Sequence, residues 1–344
     1  MSFEPFSEKT YLIAEAGVNH NGSLETALKL CDMAKKSGAN AIKFQTWITE
    51  KIVMKGAPQA IYQEQNTNMV RDQFSLLKEL ELSFENFEKI FHYCKSIDLE
   101  FLSTPDDIDS LNFLVKKIGL KKIKIGSGEI TNIPFLRRIG EISERFIMST
   151  GMCEKKDIDY AIEALGNPEK NKLVILHCTS SYPCPYEYVN LDVINTLKKE
   201  YDYEIGYSDH TLGIAVAIGA VALGASVIEK HFTLNKNMPG PDQKLSLEPD
   251  EFKEMSDQIR IIEKSKGKKI KTIQDVEKDA RKKVTKMIVA GNPIKKGSIF
   301  DENSLALLRT GDYGLNGQNW DNLIGKRSKR SYGINELIDK NELR

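Results

Sequence analysis

Residues 203–232 read YEIGYSDHTLGIAVAIGAVALGASVIEKHF. A short β-prone run at 203–209 gives way to an apolar stretch at 211–226, and a second run follows at 226–232. The middle stretch is apolar nearly all round, which predicts a buried helix rather than an amphipathic one. Strand, helix and strand thus follow one another within about 30 residues, the size of one β/α repeat. Both runs also end in titratable residues: Ser208, Asp209 and His210 close the first, and Glu229, Lys230 and His231 the second.

The same alternation covers most of the chain. Further β-branched runs stand at 11–17, 41–46, 99–105, 123–129, 145–151 and 173–178, which brings the number to eight. Helical periodicity lies between them. Leu24, Ala27, Leu28, Cys31 and Ala34 repeat at i, i+3 and i+4, and Gly38 can stop that helix. Asn21-Gly22 reads as the turn into it, with Ser23 near the N-cap. Eight strand–helix units predict an α/β fold of the (β/α)8 TIM-barrel type. An open doubly wound sheet is the competing architecture, but it seldom needs eight such regular repeats. The stretch 47–98, between the second and third runs, is long enough for more than one helix and could cover a site.

The composition changes near residue 264. KSKGKKIKTIQDVEKDARKKVTK is polar and lysine-rich but alternates with acids and lacks aromatics, as a solvated linker or exposed helix does and a basic nucleic-acid arm does not. The expected division is a barrel over 1–264, a linker over 265–285 and a small loop-rich domain over 286–344. Lys+Arg and Asp+Glu are both 49, so no global field draws nucleic acid or an anionic membrane to the chain. MSFEPFSEKTY has no apolar signal core, and the longest apolar stretch, 214–225, is too short and glycine-rich to span a bilayer. Five cysteines without a CxxC pattern suit reduced thiols, so a cytoplasmic protein is expected.

Nearly every run ends in polar groups. In order they are Glu15 with Asn19 and His20; Lys43 with Gln45; Ser103 and Thr104; Lys124, Ser127 and Glu129; Ser149 and Thr150; His177 and Thr179; Ser208, Asp209 and His210; Glu229 and His231. One such end is ordinary loop chemistry. Eight at the same end are the pattern of a barrel active site, because the C-terminal rim gathers separate strands into one pocket. Lys43 and Lys124, with nearby hydroxyls, could hold a phosphate or carboxylate. His210 and His231, on neighbouring strand ends, suit an open divalent-metal site better than a closed zinc site. Glu15, Glu129 and Glu229 are the acid–base candidates, with a buried salt bridge to either lysine as the plainer reading. Alternation turns Glu229 and His231 to the barrel mouth and Lys230 to the helical layer, where a carboxylate or its own long stem must manage the charge.

The motifs IAEAGVNHNGS, IKFQT, STP, KIGSGE, STGM, HCTSSYPCP, GYSDHTLG, VIEKHFT and GPD together resemble the sialic acid synthase family, which makes N-acetylneuraminate, legionaminate and related acids. They run in family order over about 15–242, and IKKGSIFDENSLALLR with LIGK resembles the family's C-terminal antifreeze-like (SAF) domain. The resemblance implies a cytoplasmic enzyme of the EC 2.5.1 type that joins phosphoenolpyruvate to an N-acylated mannosamine-type sugar. It implies a divalent metal, usually Mn²⁺ with Mg²⁺ or Co²⁺ as alternatives, on His210 and His231. Phosphoenolpyruvate would be held by Lys43, Thr104, Lys124, Ser127, Ser149, Ser180 and Ser208. The sugar would meet Gln45, Glu129, Tyr182 and Asp242, with Glu15, Glu129 and Glu229 as catalytic carboxylates. The family homodimer is domain-swapped, so Arg309 would reach the partner's site.

The chain also departs from the family pattern. LRTGDYGLNG replaces KRPGNG around Arg309, Ser180 stands where neuraminate synthases often carry Asn, and STPDD replaces STPF. GSGE and GPD argue against the pseudaminate branch, and SGEITNIPFLR looks closest to the legionaminate and bacterial neuraminate branch. Two readings of other classes stand beside this one: a Schiff-base aldolase or lyase using Lys124 or Lys230, and a non-catalytic carbohydrate-binding protein.

Overall fold

The computed structural model describes residues 9–67 and 70–344. The chain divides into two compact units, 1–267 and 268–344.

The first unit carries eight strands: β1 (Tyr11–Gly17), β2 (Ala41–Thr46), β3 (Glu100–Pro105), β4 (Lys122–Ile125), β5 (Arg145–Ser149), β6 (Leu173–Cys178), β7 (Glu204–Asp209) and β8 (Val227–His231). They pair in the order β3-β2-β1-β8-β7-β6-β5-β4, and every ladder is parallel. β3 and β4 pack side by side, which closes the sheet into a barrel. An open doubly wound sheet would leave those two strands as distant edges. The fourth run is shorter than its sequence suggests, because Ser127–Glu129 forms a 3-10 turn beyond β4.

Strand alternation separates two apolar layers. Ile13, Ala41, Leu102, Ile147, Val174, Leu176 and Val227 point inward and plug the barrel. Leu12, Ala14, Ile42, Phe44, Ile123, Met148, Ile175, Tyr207 and Ile228 point outward and pack under the helices. Burying one such side chain contributes roughly 1.5–3 kcal/mol relative to exposing it. The plug leaves inward-facing space toward the C-terminal ends of the strands. Gly206 is required inside the barrel: a Cβ there would lie 2.5 Å from Leu176 Cδ2 and 2.6 Å from the Val227 carbonyl oxygen.

Ser23 caps the helix Leu24–Lys36, its Oγ accepting from the Thr26 N–H at 3.2 Å. The stretch 47–98 holds four helices, Thr49–Ile52, Ile61–Thr67, Gln73–Leu80 and Phe84–Ser96. Within 211–226 the helix is only Ala215–Ala222, because Gly224 adopts a positive φ of 97° and ends it. The helix Pro249–Lys266 completes this unit, and the boundary expected at 264 falls inside its last turn.

The second unit begins at 268, so most of the expected linker belongs to it and includes the helix Lys278–Val284. Its antiparallel pair, β9 (Lys286–Ala290) and β10 (Leu305–Arg309), packs on Ile294, Phe300, Leu323, Tyr332 and Ile338. Among the described residues no helix is long and apolar enough to cross a membrane.

Candidate active site

The inward positions of the strands change from apolar to ionic one pleat above the plug. Ile13 gives way to Glu15, Ala41 to Lys43, Leu102 to Thr104, Ile147 to Ser149 and Val227 to Glu229. These side chains wall a cavity of about 630 Å³ at the C-terminal end of the barrel. Of the residues singled out in the sequence, Glu15, Lys43, Gln45, Thr104, Lys124, Ser127, Ser149, Ser180, Tyr182, Ser208, His210, Glu229 and His231 all line it.

Two buried lysines and two buried carboxylates share its floor. Lys43 Nζ lies 2.7 Å from Glu15 Oε2 and 3.9 Å from Glu229 Oε2, and it donates to Thr104 Oγ1 at 3.2 Å. Lys124 Nζ donates to Ser149 Oγ at 2.7 Å and to the Ile125 carbonyl at 3.0 Å, and lies 3.6 Å from Glu229 Oε1. Ser208 Oγ donates to Glu229 at 3.1 Å. Burial raises the Glu229 pKa, but Lys124 and Lys43 outweigh it and hold the carboxyl below its ordinary range. Burial lowers the Lys43 pKa, and Glu15 and Glu229 reverse that, keeping it above the ordinary value. At Lys124 burial wins over Glu229, so its pKa is lowered. Burial pushes Glu15 up to about 7 against the pull of Lys43, with Glu229 adding to the rise. The two carboxylates therefore differ: Glu229 holds its charge between two ammonium groups, and Glu15 is poised to exchange a proton near neutrality.

A hydroxyl cradle lies beside Lys124. The Gly151 N–H donates to Ser127 Oγ at 2.9 Å, and a Cβ on Gly151 would meet Ser180 Oγ at 2.2 Å and Ser127 Oγ at 3.0 Å. Glycine is thus needed where Ser127 and Ser180 converge on the backbone.

The imidazoles of His210 and His231 lie side by side, ring centroids 5.5 Å apart. His210 Nδ1 donates to the Thr179 carbonyl at 2.9 Å, which leaves Nε2 free. His231 Nδ1 is buried with no hydrogen-bond partner among the described residues, and burial, then the positive charge around it, holds the ring pKa well below its ordinary value. A neutral imidazole with an unpartnered nitrogen beside a second oriented imidazole fits a divalent cation. No group of three or more His, Cys, Asp or Glu among the described residues is arranged for a metal. A cation here would take its remaining ligands from water or substrate, as an open site does.

Three expected residues stand apart from the cavity wall. Glu129 lies on the 3-10 turn after β4, half-buried, and accepts from Asn132 Nδ2 at 2.7 Å. Asp242 is buried, and Tyr62, which does line the cavity, hydrogen-bonds to it. Its Oδ1 has no partner, and burial raises its pKa to about 6. Arg309 ends β10 in the second unit and is exposed. Several strand-end candidates also face away from the cavity. His177 points outward to the Val189 carbonyl at 2.7 Å, and His20 is buried beside Phe44. Ser103 bonds to Thr46 at 2.7 Å, and Thr150 donates to the Leu176 carbonyl at 2.9 Å. Lys230 also faces outward, so of the two Schiff-base candidates only Lys124 reaches the cavity.

Residues not singled out in the sequence complete the wall. Cys178 follows Val174 and Leu176 on the inward face of β6, an alternation that could have found it. Tyr62 comes from the stretch 47–98 and stacks on Tyr182 with centroids 5.0 Å apart; Tyr182 in turn lies 4.2 Å from His210. No periodicity marks Tyr62. Asp106 also lines the wall, and its signal is the acidic pair of STPDD.

Residues 30–271 match the model of the NeuB family. The chain is 42% identical over 333 residues to the N,N'-diacetyllegionaminic acid synthase of Campylobacter jejuni, covering 96% of this chain and 99% of that protein. It is 42% identical over 321 residues to the enzyme of the same name from Legionella pneumophila, covering 92% and 90%. Among solved structures, an N-acetylneuraminic acid synthetase from Leptospira borgpetersenii superposes with a TM-score of 0.69 at 33% identity, covering 80% of this chain and 92% of that one.

Proposed function

This chain belongs to the NeuB family, and from that premise we propose that it condenses phosphoenolpyruvate with an N-acylated mannosamine-type sugar, releasing phosphate. The observation that carries the reading is the floor of the cavity, where Lys43 and Lys124 converge on one space with Glu15, Glu229 and two imidazoles. Two buried cations with hydroxyls around them suit a small, multiply charged anion.

In the proposed reaction Lys43 and Lys124, with Thr104, Ser127, Ser149, Ser180 and Ser208, bind the phosphate and carboxylate of phosphoenolpyruvate. The C2=C3 π electrons form a bond from C3 to the aldehyde carbon of the open-chain sugar, and the aldehyde oxygen takes a proton. Water adds to the cationic C2 and gives its proton to a carboxylate. In the tetrahedral intermediate the C2 hydroxyl then gives its proton to the departing phosphate as the C2–O bond to phosphate breaks, leaving the 2-keto acid and inorganic phosphate. Glu15 is the carboxylate best matched to that water, because its pKa stands near 7. Glu229 stays ionised and neutralises the lysines. His210 and His231 would hold a divalent cation, Mn²⁺ foremost, which when bound supplies Lewis-acid polarisation of a carbonyl.

Gln45 and Tyr182, which line the cavity, and Asp242, which meets it only through Tyr62, are the residues proposed to bind the sugar. For the second unit we propose an antifreeze-like (SAF) domain over 286–344, and for the assembly a homodimer in which Arg309 serves the partner's site. The exposure of Arg309 at the end of β10 supports this, since it leaves the guanidinium accessible. Among acceptors the two 42%-identical relatives favour 2,4-diacetamido-2,4,6-trideoxymannose, with N-acetylmannosamine as the alternative.

The test is phosphate release with phosphoenolpyruvate and Mn²⁺, offering N-acetylmannosamine, 2,4-diacetamido-2,4,6-trideoxymannose, the altrose analogue and mannose separately. Release with a mannosamine-type sugar is expected. Release only with the altrose compound would overturn the branch, and silence with every sugar would overturn the function.

A further inference from the structure

STPDD places two aspartates in succession, and the structure gives them different situations. Asp107 is fully engaged. Its carboxylate accepts from the N–H groups of Asp109, Ser110 and Ile48 at 2.8, 2.9 and 2.9 Å and from Ser110 Oγ at 2.6 Å, capping the helix Ile108–Asn112. Asp106 has none of this. Its backbone N–H donates to the Thr46 carbonyl at 3.1 Å, which extends the β2–β3 ladder by one residue. Alternation from Thr104 turns its side chain inward, one pleat nearer the mouth than the Lys43–Thr104 contact. There it lines the cavity, and among the described residues its carboxylate has neither a hydrogen-bond donor nor an ion-pair partner.

We propose that Asp106 is a specificity-determining residue for the acceptor: its carboxylate accepts a hydrogen bond from a hydroxyl or amide N–H of an uncharged N-acylated hexose. The proposal rests on the reading given under Proposed function. A polar side chain facing a pocket without a protein partner is left to hydrogen-bond water or ligand. The sign of its surroundings decides between the two substrates. Burial first, then the negative charge of Glu129, Asp107 and Glu15, raises the Asp106 pKa to about 7 against the pull of Lys43. A phosphate or carboxylate is repelled from that part of the wall, whereas a neutral polyol brings donors to it. The lysines lie a pleat deeper, so the anionic substrate and the sugar are separated along the depth of the cavity. The same charge disfavours a sugar that itself carries a phosphate.

The test is steady-state kinetics of the full-length protein with Mn²⁺, comparing wild type, Asp106→Ala and Asp106→Asn. Asp106→Ala is expected to raise KM for the sugar roughly tenfold, the scale of one hydrogen bond to a charged group. KM for phosphoenolpyruvate and the thermal midpoint should be unchanged. Asp106→Asn, which keeps an acceptor oxygen, should recover part of the loss. Both variants should also narrow the preference for N-acetylmannosamine over its 6-phosphate. An unchanged sugar KM, or equal rises for both substrates, in an otherwise active enzyme would overturn this inference alone. A wild-type protein silent with every acceptor would overturn the functional reading and this inference with it.

Discussion

Lys230 and Asp209 form an ion pair of 2.8 Å in which neither side chain has any exposed surface. They sit on β8 and β7, facing the helical layer, while Ser208, Glu229 and His231 on the same strands face the cavity. Lys230 also donates to the Thr211 carbonyl, and Asp209 Oδ1 accepts from the Thr211 N–H at 2.9 Å and from Tyr207 at 3.2 Å. Every charge in the cluster is therefore met. Removing one partner would strand the other, so Lys230→Met should lower stability by about 3–5 kcal/mol. Adding Asp209→Asn should restore much of that loss. Denaturant unfolding of the barrel measures both, and a loss within the roughly 1 kcal/mol of a surface pair would refute the structural role.

The barrel was legible because short β-branched runs alternate with helical periodicity through the first 232 residues, eight runs in all, and each run falls within a few residues of a strand. The floor of the site was legible for the same reason: alternation carries Glu15, Lys43, Ser149, Ser208, Glu229 and His231 to one face. His20 and His177 show the limit of reading strand ends without their faces, since both are polar rim residues that point away from the cavity. Tyr62 was illegible because it arrives from a segment whose path over the barrel is set by tertiary packing. Glu129 stands off the cavity wall because the chain turns into a 3-10 helix at Ser127, so the strand's alternation does not extend to it.

Anion binding by the lysines can be tested through Ser149, which takes the shortest hydrogen bond of Lys124. Ser149→Ala removes that acceptor and frees the ammonium to move. A hydrogen bond to a charged group contributes roughly 1.5–3 kcal/mol, which corresponds to at least a tenfold rise in KM for phosphoenolpyruvate. Initial-rate kinetics with each substrate varied in turn check this. An equal rise in the sugar KM would argue that Ser149 serves the pocket's shape and not the anion.

The imidazole pair predicts a metal dependence that binding can measure separately from turnover. His231→Gln keeps a polar group of similar reach but removes the imidazole nitrogen. It should lose Mn²⁺ binding in titration calorimetry together with Mn²⁺-stimulated phosphate release, while the circular dichroism of the barrel persists. Wild-type Mn²⁺ affinity in the variant would remove the assignment of His231.

Arg309 offers a test of the proposed assembly. Arg309→Ala should raise KM for the sugar more than KM for phosphoenolpyruvate and leave stability within about 0.5 kcal/mol, as for an exposed substitution. Mixing Arg309→Ala protomers with inactive Glu15→Gln protomers should restore activity if the arginine acts in trans. No recovery, with mixed dimers demonstrated, would place its action within one chain.

Glu15 carries a pH signature whose sign is fixed by its environment. Burial raises its carboxyl from 4.5 to about 7 in the folded protein. Between those values the folded state binds the proton and the unfolded state does not, so stability falls as pH rises. Its stabilising contribution is complete below about pH 4.5 and is lost as pH passes through 7. Metal-free wild type should therefore lose stability between pH 5 and pH 8 relative to Glu15→Gln, which has no proton to release. Asp242 is also raised, but it is common to both proteins and cancels in the comparison; Asp106 is raised in part by Glu15, so both proteins carry Asp106→Asn to take it out of the comparison. Parallel stability–pH curves for the two proteins would show that Glu15 is ionised throughout, held by Lys43, and would remove its claim to be the base that takes the proton from water.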